Sequence, residues 1–382
     1  MKCIFFACMG FLFTLHLSAQ VKETTFSSKK LGEDREIVYY IPDDYDAKKK
    51  YPLIVVLDAD YLFDVVTAAS RFFNYNDEMP ESIVLGIRQE DSRLSDCNYN
   101  DDTGFPKGKG NNFFEFIGME LLPSLAEQYN LADFNIIVGH GLTANFINYY
   151  LFKDKPIFDA YINIEPDFAP NVDDYLTSRL STLTAPKFYC LIAADTNRDP
   201  DDAARIETLH HALEAIDNDW FHYHFRAVKD SDTYTVATYA IPRSLYHIFN
   251  LYQPITPQEY AKDILSYGDG PVYNYLENKY RSIRDTYHVD KKIRLNDIMA
   301  VYSACLEKED LTSLESLAGL GKKEFPDSML GYFFEAEFHE KSGNTKKAMR
   351  VYEKAFLMGE IDFLTKDMIQ ERIFNIKQDM GW

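Results

Sequence analysis

The stretch FNIIVGHGLTANFINYYLF, Phe134 to Phe152, decides how this chain is read. An apolar β-run enters Gly139-His140-Gly141-Leu142-Thr143-Ala144, and an amphipathic helical run leaves it at once. A strand that turns straight into a helix between small residues has the shape of a nucleophile elbow, G-x-S-x-G. The small flanks let a strained turn pass close to its neighbours and present the central side chain. Here the central position is Gly141, which has no side chain, and the outer small position is Thr143 with Ala144 behind it.

Working outward, short β-rich runs alternate with longer amphipathic ones. Strands are expected at Glu36–Ile41, Leu53–Asp58, Ser82–Ile87, Asn135–Gly139, Ala160–Ile164, Lys187–Ala193 and His222–Ala227. Several are nearly continuous apolar runs, as central strands covered on both faces require. Helices are expected between them, notably at Asn112–Gln128, Leu142–Phe152, Ala203–Ile216 and Ile241–Asn250. This alternation predicts an α/β domain over residues 20–254, with a mostly parallel sheet, helices on both faces and right-handed crossovers.

Beyond the segment Gln253–Gln258, which carries Pro254 and Pro257, the pattern is helical to the end, residues 255–382. In Met329–Gly359, residues Ala336, Gly343, Ala348, Tyr352 and Ala355 fall where a tetratricopeptide repeat places small, turn and packing residues, with Pro326 closing the preceding unit. Leu295–Ser328 fits that repeat poorly. A small repeat-type helical cap and a plain helical hairpin packed on the α/β domain both stay open.

Residues 1–19 read as a removable export leader: Lys2, an apolar run from Cys3 to Leu15, then Ser18 and Ala19. The run is short for a membrane span of about 20 residues. The expectation is an exported protein, periplasmic or secreted, with no transmembrane segment after cleavage. Cys97, Cys190 and Cys305 then remain, too far apart in sequence for a structural zinc site and odd in number for a disulfide framework. The 382 residues hold 60 Asp and Glu against 40 Lys and Arg, a net charge of −20, which disfavours nucleic acid and anionic lipid as electrostatic partners. With 46% hydrophobic residues, global disorder is excluded.

Four segments in order carry a family resemblance: REIVYYIPDDYDAKKKYPLIVVLDADYLF, MPESIVLGIRQEDSRLSD, NNFFEFIGMELLPSLAEQYN and VGHGLTANFINYYLF. The stretch from Glu36 to Tyr252 resembles the esterase family of α/β-hydrolases that includes the enterochelin-esterase-like and esterase-D-like enzymes. The resemblance implies an α/β-hydrolase fold and carboxylic-ester hydrolysis without cofactor or metal. It also puts the serine nucleophile at Gly141 and the acid at Asp195. Counting back from Ile248-Phe249 puts the histidine near Thr233, and no histidine occurs between His224 and His247. The oxyanion donors would be the N–H groups of Ala59 and Leu142. Asp58, Asp60, His140, Arg93 and Asp96 would rim the pocket, the first two shaping the oxyanion turn and Arg93 pairing with Asp96.

An acid with no base to orient and no nucleophile to activate implies a pseudoenzyme that binds a small-molecule or protein ligand, with a protein partner also engaged through the C-terminal helices. Other readings of the same residues are an active ester hydrolase with a rearranged site, an envelope-complex scaffold, and a dinucleotide-binding protein. The last follows from Gly139-x-Gly141-x-x-Ala144 with Glu165 about 20 residues on, but the unit lies in mid-domain and an exported protein rarely meets free NAD. A relocated site would draw on His140, Thr143, Cys190 or the pair His210/His211. Each has a plainer role: a structural turn residue, a helix-start hydroxyl, a buried thiol, and helix-face histidines without a spaced third ligand.

Overall fold

The computed structural model describes residues 21–196 and 199–381; the expected leader lies outside them. Eight strands form one sheet: β1 (Val21–Ser28), β2 (Glu33–Tyr40), β3 (Tyr51–Val56), β4 (Ile83–Ile87), β5 (Leu131–His140), β6 (Ala160–Ile164), β7 (Lys187–Ala194) and β8 (Phe221–Val228). Their order is β1-β2-β4-β3-β5-β6-β7-β8. β2 runs antiparallel to both β1 and β4, and every other pair is parallel. This is the expected mostly parallel α/β sheet, with one strand more than the sequence pattern suggests. The extra strand, β1, reads VKETTFSS and is almost wholly exposed at the sheet edge, so it lacks the apolar signal that marks the others.

Every residue of β3, β4, β6 and β7 is buried. Alternate side chains of a strand point to opposite faces, so β3 sends Ile54 and Val56 into one core and Leu53 and Val55 into the other. The second core is closed by Phe113, Phe116, Phe146, Leu176 and Ile206 from the helices on its side. The first is closed by the Ala59–Tyr75 helix through Leu62 and Val66, and by the Val236–Ile248 helix through Ile241 and Leu245. The Ala59–Tyr75 helix is not singled out by its sequence, because its β-branched and aromatic residues are weak helix formers.

The C-terminal helices join that same first core. Tyr287, at the end of the Tyr273–Tyr287 helix, is fully buried with its ring 5.1 Å from those of Phe134 and Phe249. Its hydroxyl donates to the Ile248 carbonyl at 2.7 Å. Buried Asp297 accepts from the Ile255 N–H and the Tyr280 hydroxyl, each at 2.8 Å. The sequence boundary near residue 254 therefore separates patterns, not cores. Five further helices follow: Leu295–Glu307, Leu311–Glu324, Leu330–Lys341, Thr345–Phe356 and Lys366–Asp379. Ala336, Ala348, Tyr352 and Ala355 are all fully buried, and Gly343 makes the turn between the third and fourth at φ +75°. No helix among the described residues is long and apolar enough to cross a membrane.

Candidate functional site

β5 ends at His140, and the Leu142–Ile147 helix begins two residues later. Gly141 between them has φ 59° and ψ −118°, a region that side-chain-bearing residues enter only under strain. The turn thus keeps the elbow's backbone shape while its apex is bare. Gly139 is needed for a different reason. A β-carbon there would lie 2.6 Å from the carbonyl carbon and oxygen of Thr143, so the helix packs directly on the strand backbone.

Beside the apex sits a hydrogen-bonded cluster centred on Asp58. This residue is 1% exposed and held in a left-handed conformation, φ 51°, at the start of the Ala59–Tyr75 helix. Its carboxylate accepts from Arg93 Nε at 2.7 Å and Nη2 at 3.2 Å, from the Thr143 hydroxyl at 2.6 Å and from the Tyr61 hydroxyl at 3.1 Å. Arg93 Nη2 also donates to the His140 carbonyl at 2.7 Å. The same nitrogen is 3.3 Å from the point a β-carbon on residue 141 would occupy, so the guanidinium lies over the place of the missing side chain.

His140 Nδ1 is 2.9 Å from the Tyr61 hydroxyl. Burial pushes His140 below the ordinary histidine range; Asp58 and the Thr233 backbone oppose the shift and Arg93 adds to it. Burial and the Asp58 carboxylate push the Tyr61 phenol upward, so it stays protonated. Among the described residues, the N–H groups of Ala59 and Leu142 have no hydrogen-bond acceptor. Those two donors are available at the elbow.

Asp195, expected at the acid position, is engaged by backbone. Asp195 accepts from the N–H groups of Asp230 at 2.9 Å and Ser231 at 3.1 Å, which orders the loop after β8. Thr233 lies in that loop, and Asp232 caps the loop's end by accepting from the N–H groups of Tyr234 and Thr235. Gly141, Asp195 and Thr233 therefore follow the carboxyl ends of β5, β7 and β8, at one edge of the sheet. That is where open α/β sheets place their ligands.

Two expectations are corrected. Arg93 does not pair with Asp96: it pairs with Asp58, while Asp96 is fully buried and accepts from Arg35 Nη1 at 2.5 Å and Nη2 at 3.1 Å. Asp96 also accepts from Ser92 and Gln89, so it anchors the short Arg93–Asp96 helix from below and lies behind the rim. Spacing within a motif could not show that the two partners face opposite ways. The histidine pair does have a third group: Glu214 brings a carboxylate oxygen within 4.8 Å of ring nitrogens of His210 and His211. His210 is spoken for in part by packing flat on Phe225 at 3.7 Å and by Tyr223, 3.1 Å from its Nδ1.

Asp60 accepts from the Gln89 N–H at 2.9 Å and lies 3.6 Å from Arg88 Nη1, partners different from those of Asp58. Glu165, which a ribose contact would need, turns its carboxylate to the Ala194 N–H of β7. Cys97, Cys190 and Cys305 are free and buried, and burial raises the Cys190 thiol to about 12. Tyr61 was not apparent from sequence, since nothing in the spacing of an aromatic next to LDAD marks it as the bridge between Asp58 and His140.

The family model described as Putative esterase matches residues 28–146, which include the elbow, Asp58 and Arg93. A solved structure of an uncharacterised protein from Capnocytophaga ochracea is 32% identical, with a TM-score of 0.83, over 94% of this chain and 100% of that one. An IroE-like serine hydrolase from Shewanella oneidensis is 18% identical at TM-score 0.58, over 79% of this chain and 99% of its own. The siderophore hydrolase EstA from Aspergillus nidulans is 16% identical at TM-score 0.52, over 66% and 99% respectively. The last two share the fold. No curated protein sequence matches significantly. Sheet order and elbow geometry agree with these likenesses: the chain has an α/β-hydrolase fold, its residues 28–146 match the esterase model, and it shares a family with the Capnocytophaga protein.

Proposed function

We propose that this chain is an exported pseudoenzyme of its family, one that binds at the elbow end of the sheet and does not hydrolyse esters. The observation that carries the reading is the Arg93 guanidinium over the bare Gly141 apex, 3.3 Å from where a β-carbon would stand and held there by Asp58. Loss of the nucleophile from such a triad costs on the order of 10⁶ in kcat. The engagement of Asp195 by loop backbone supports the same conclusion, because an acid without an imidazole has nothing to orient. The ligand class this end favours is a carbonyl or oxyanion, met by the N–H groups of Ala59 and Leu142. The paired helices Leu330–Lys341 and Thr345–Phe356, with their buried alanines, support a repeat-like region that offers a protein-binding surface.

The test is p-nitrophenyl ester hydrolysis by purified protein beside a Gly141→Ala control. The expected rate is indistinguishable from that control. Turnover at ordinary enzyme rates, roughly 1–10³ s⁻¹, that is lost in Gly141→Ala would overturn the proposal. It would favour the alternative of a rearranged hydrolase, for which the chain Asp58–Tyr61–His140 beside the elbow is the supporting feature.

A further inference from the structure

The opposite end of the sheet carries a cleft of about 670 Å³ that the family chemistry does not use. One wall is the connection entering β3, with Lys48, Lys49 and Lys50; the other is the connection between the Tyr273–Tyr287 and Leu295–Glu307 helices, with Lys291 and Lys292. Five lysines converging on one cleft stand out in a chain of net charge −20. Lys48–Lys50 and Asn130 directly precede β3 and β5, so the cleft lies at the amino ends of the strands, the far side from Gly141.

Both walls are fixed. Asn130 Nδ2 donates to the carbonyls of Ala47 at 3.0 Å and Lys49 at 2.9 Å, pinning the lysine-bearing connection to the start of β5. Across the cleft, Lys291 is almost fully buried, its Nζ 2.7 Å from Asp77 and 3.5 Å from the centre of the Tyr252 ring.

The charges do not cancel locally. Lys49 is balanced by Glu81 at 3.6 Å, Lys291 by Asp77, and the lining residue Glu324 has Lys323 at 3.4 Å. Lys48, Lys50 and Lys292 have no ion-pair partner among the described residues, and Asp290 is the one remaining acid in the lining. A surplus of positive charge recessed between low-dielectric walls concentrates anions locally, even on a molecule whose overall field repels them. Lysines serve as point charges for phosphate and carboxylate groups of varied geometry.

We propose that this cleft binds a small polyvalent oxyanion, of the phosphate-ester or pyrophosphate class, between Lys48, Lys50 and Lys292. Because its two walls come from the α/β domain and the helical region, a bound anion ties the two together.

The test is calorimetric titration of the full chain with inorganic pyrophosphate at low ionic strength, with acetate as the monovalent comparison. Saturable one-to-one binding is expected for pyrophosphate and none for acetate. The pair Lys50→Ala/Lys292→Ala should weaken it at least tenfold. The equally neutralising pair Lys22→Ala/Lys29→Ala, on and beside the β1 edge, should leave it unchanged. All four lysines are exposed, so circular dichroism should show wild-type folding in both variants. No saturable binding, or equal loss in both variants, would overturn the proposal. Vesicles of phosphatidylcholine with phosphatidic acid identify the source of the anion. Co-sedimentation abolished by the Lys50/Lys292 pair assigns a lipid headgroup, and pyrophosphate binding without co-sedimentation assigns a soluble ligand.

Discussion

Asp58 is the residue on which the elbow end of the molecule depends, and replacing it tests the reading of that end most directly. Its carboxylate accepts four hydrogen bonds while 1% exposed, two of them from an arginine side chain that is 30% exposed. Removing one partner of a buried ion pair costs about 3–5 kcal/mol, because the other charge is left without compensation. Solvent reaches Arg93, and its bond to the His140 carbonyl survives, so the cost falls at or below the low end of that range. Asp58→Asn keeps one acceptor oxygen and should destabilise by about 2–3 kcal/mol. Melting followed by circular dichroism should show a fall of about 3–4 °C. The stricter measurement is a double-mutant cycle with Arg93→Met in denaturant unfolding. If the pair is coupled as the distances indicate, the interaction energy should reach about 1–3 kcal/mol. Strict additivity, with coupling below about 0.5 kcal/mol, would show that Arg93 is not held over Gly141 by Asp58, and the account of a filled nucleophile site would fail.

Three other outcomes follow from the packing and titration of the chain. Gly139→Ala places a β-carbon 2.6 Å from the Thr143 backbone and should cost about 3 kcal/mol or more, read as a lowered denaturation midpoint with an unchanged slope. Truncation after residue 254 removes Tyr287 and the rest of the first core's outer wall; the fragment should bind a hydrophobic dye and aggregate, and a soluble, cooperatively melting fragment would contradict the shared core. Burial lowers His247 to about 4, with the stacked His224 adding to the effect, and His224 and His140 are lowered too. The unfolded chain, with histidines near 6.5, then binds more protons than the fold between about pH 4 and 6.5. Stability is therefore full above that range and lost as pH falls through it. About 3 kcal/mol of that loss comes from His247, and His247→Gln should flatten the pH profile of urea unfolding.

The strands β3, β4, β6 and β7 were legible because a strand buried on both faces must be almost wholly apolar, while β2, β5 and β8 were legible from their β-branched and aromatic runs. The edge strand β1 was not, since an exposed edge makes no such demand. Within the site, the bare apex at Gly141 could be read directly, because a turn of that shape between Gly139 and Thr143 is set by local sterics. The partners of Arg93 could not. Arg93 and Asp58 are 35 positions apart in sequence, and Asp96, three residues from Arg93, turned out to belong to Arg35, 61 positions away.

By itself, then, the sequence determined the α/β alternation, the elbow and the absence of a side chain at its apex, all of which depend on local periodicity and residue size. Only the tertiary structure decided what stands over that apex, where the acid at 195 spends its hydrogen bonds, and that the helical tail shares a core with the sheet. Those are contacts between segments far apart in the chain, and the chemistry of a charge or a ring does not say which distant partner the fold will bring to it.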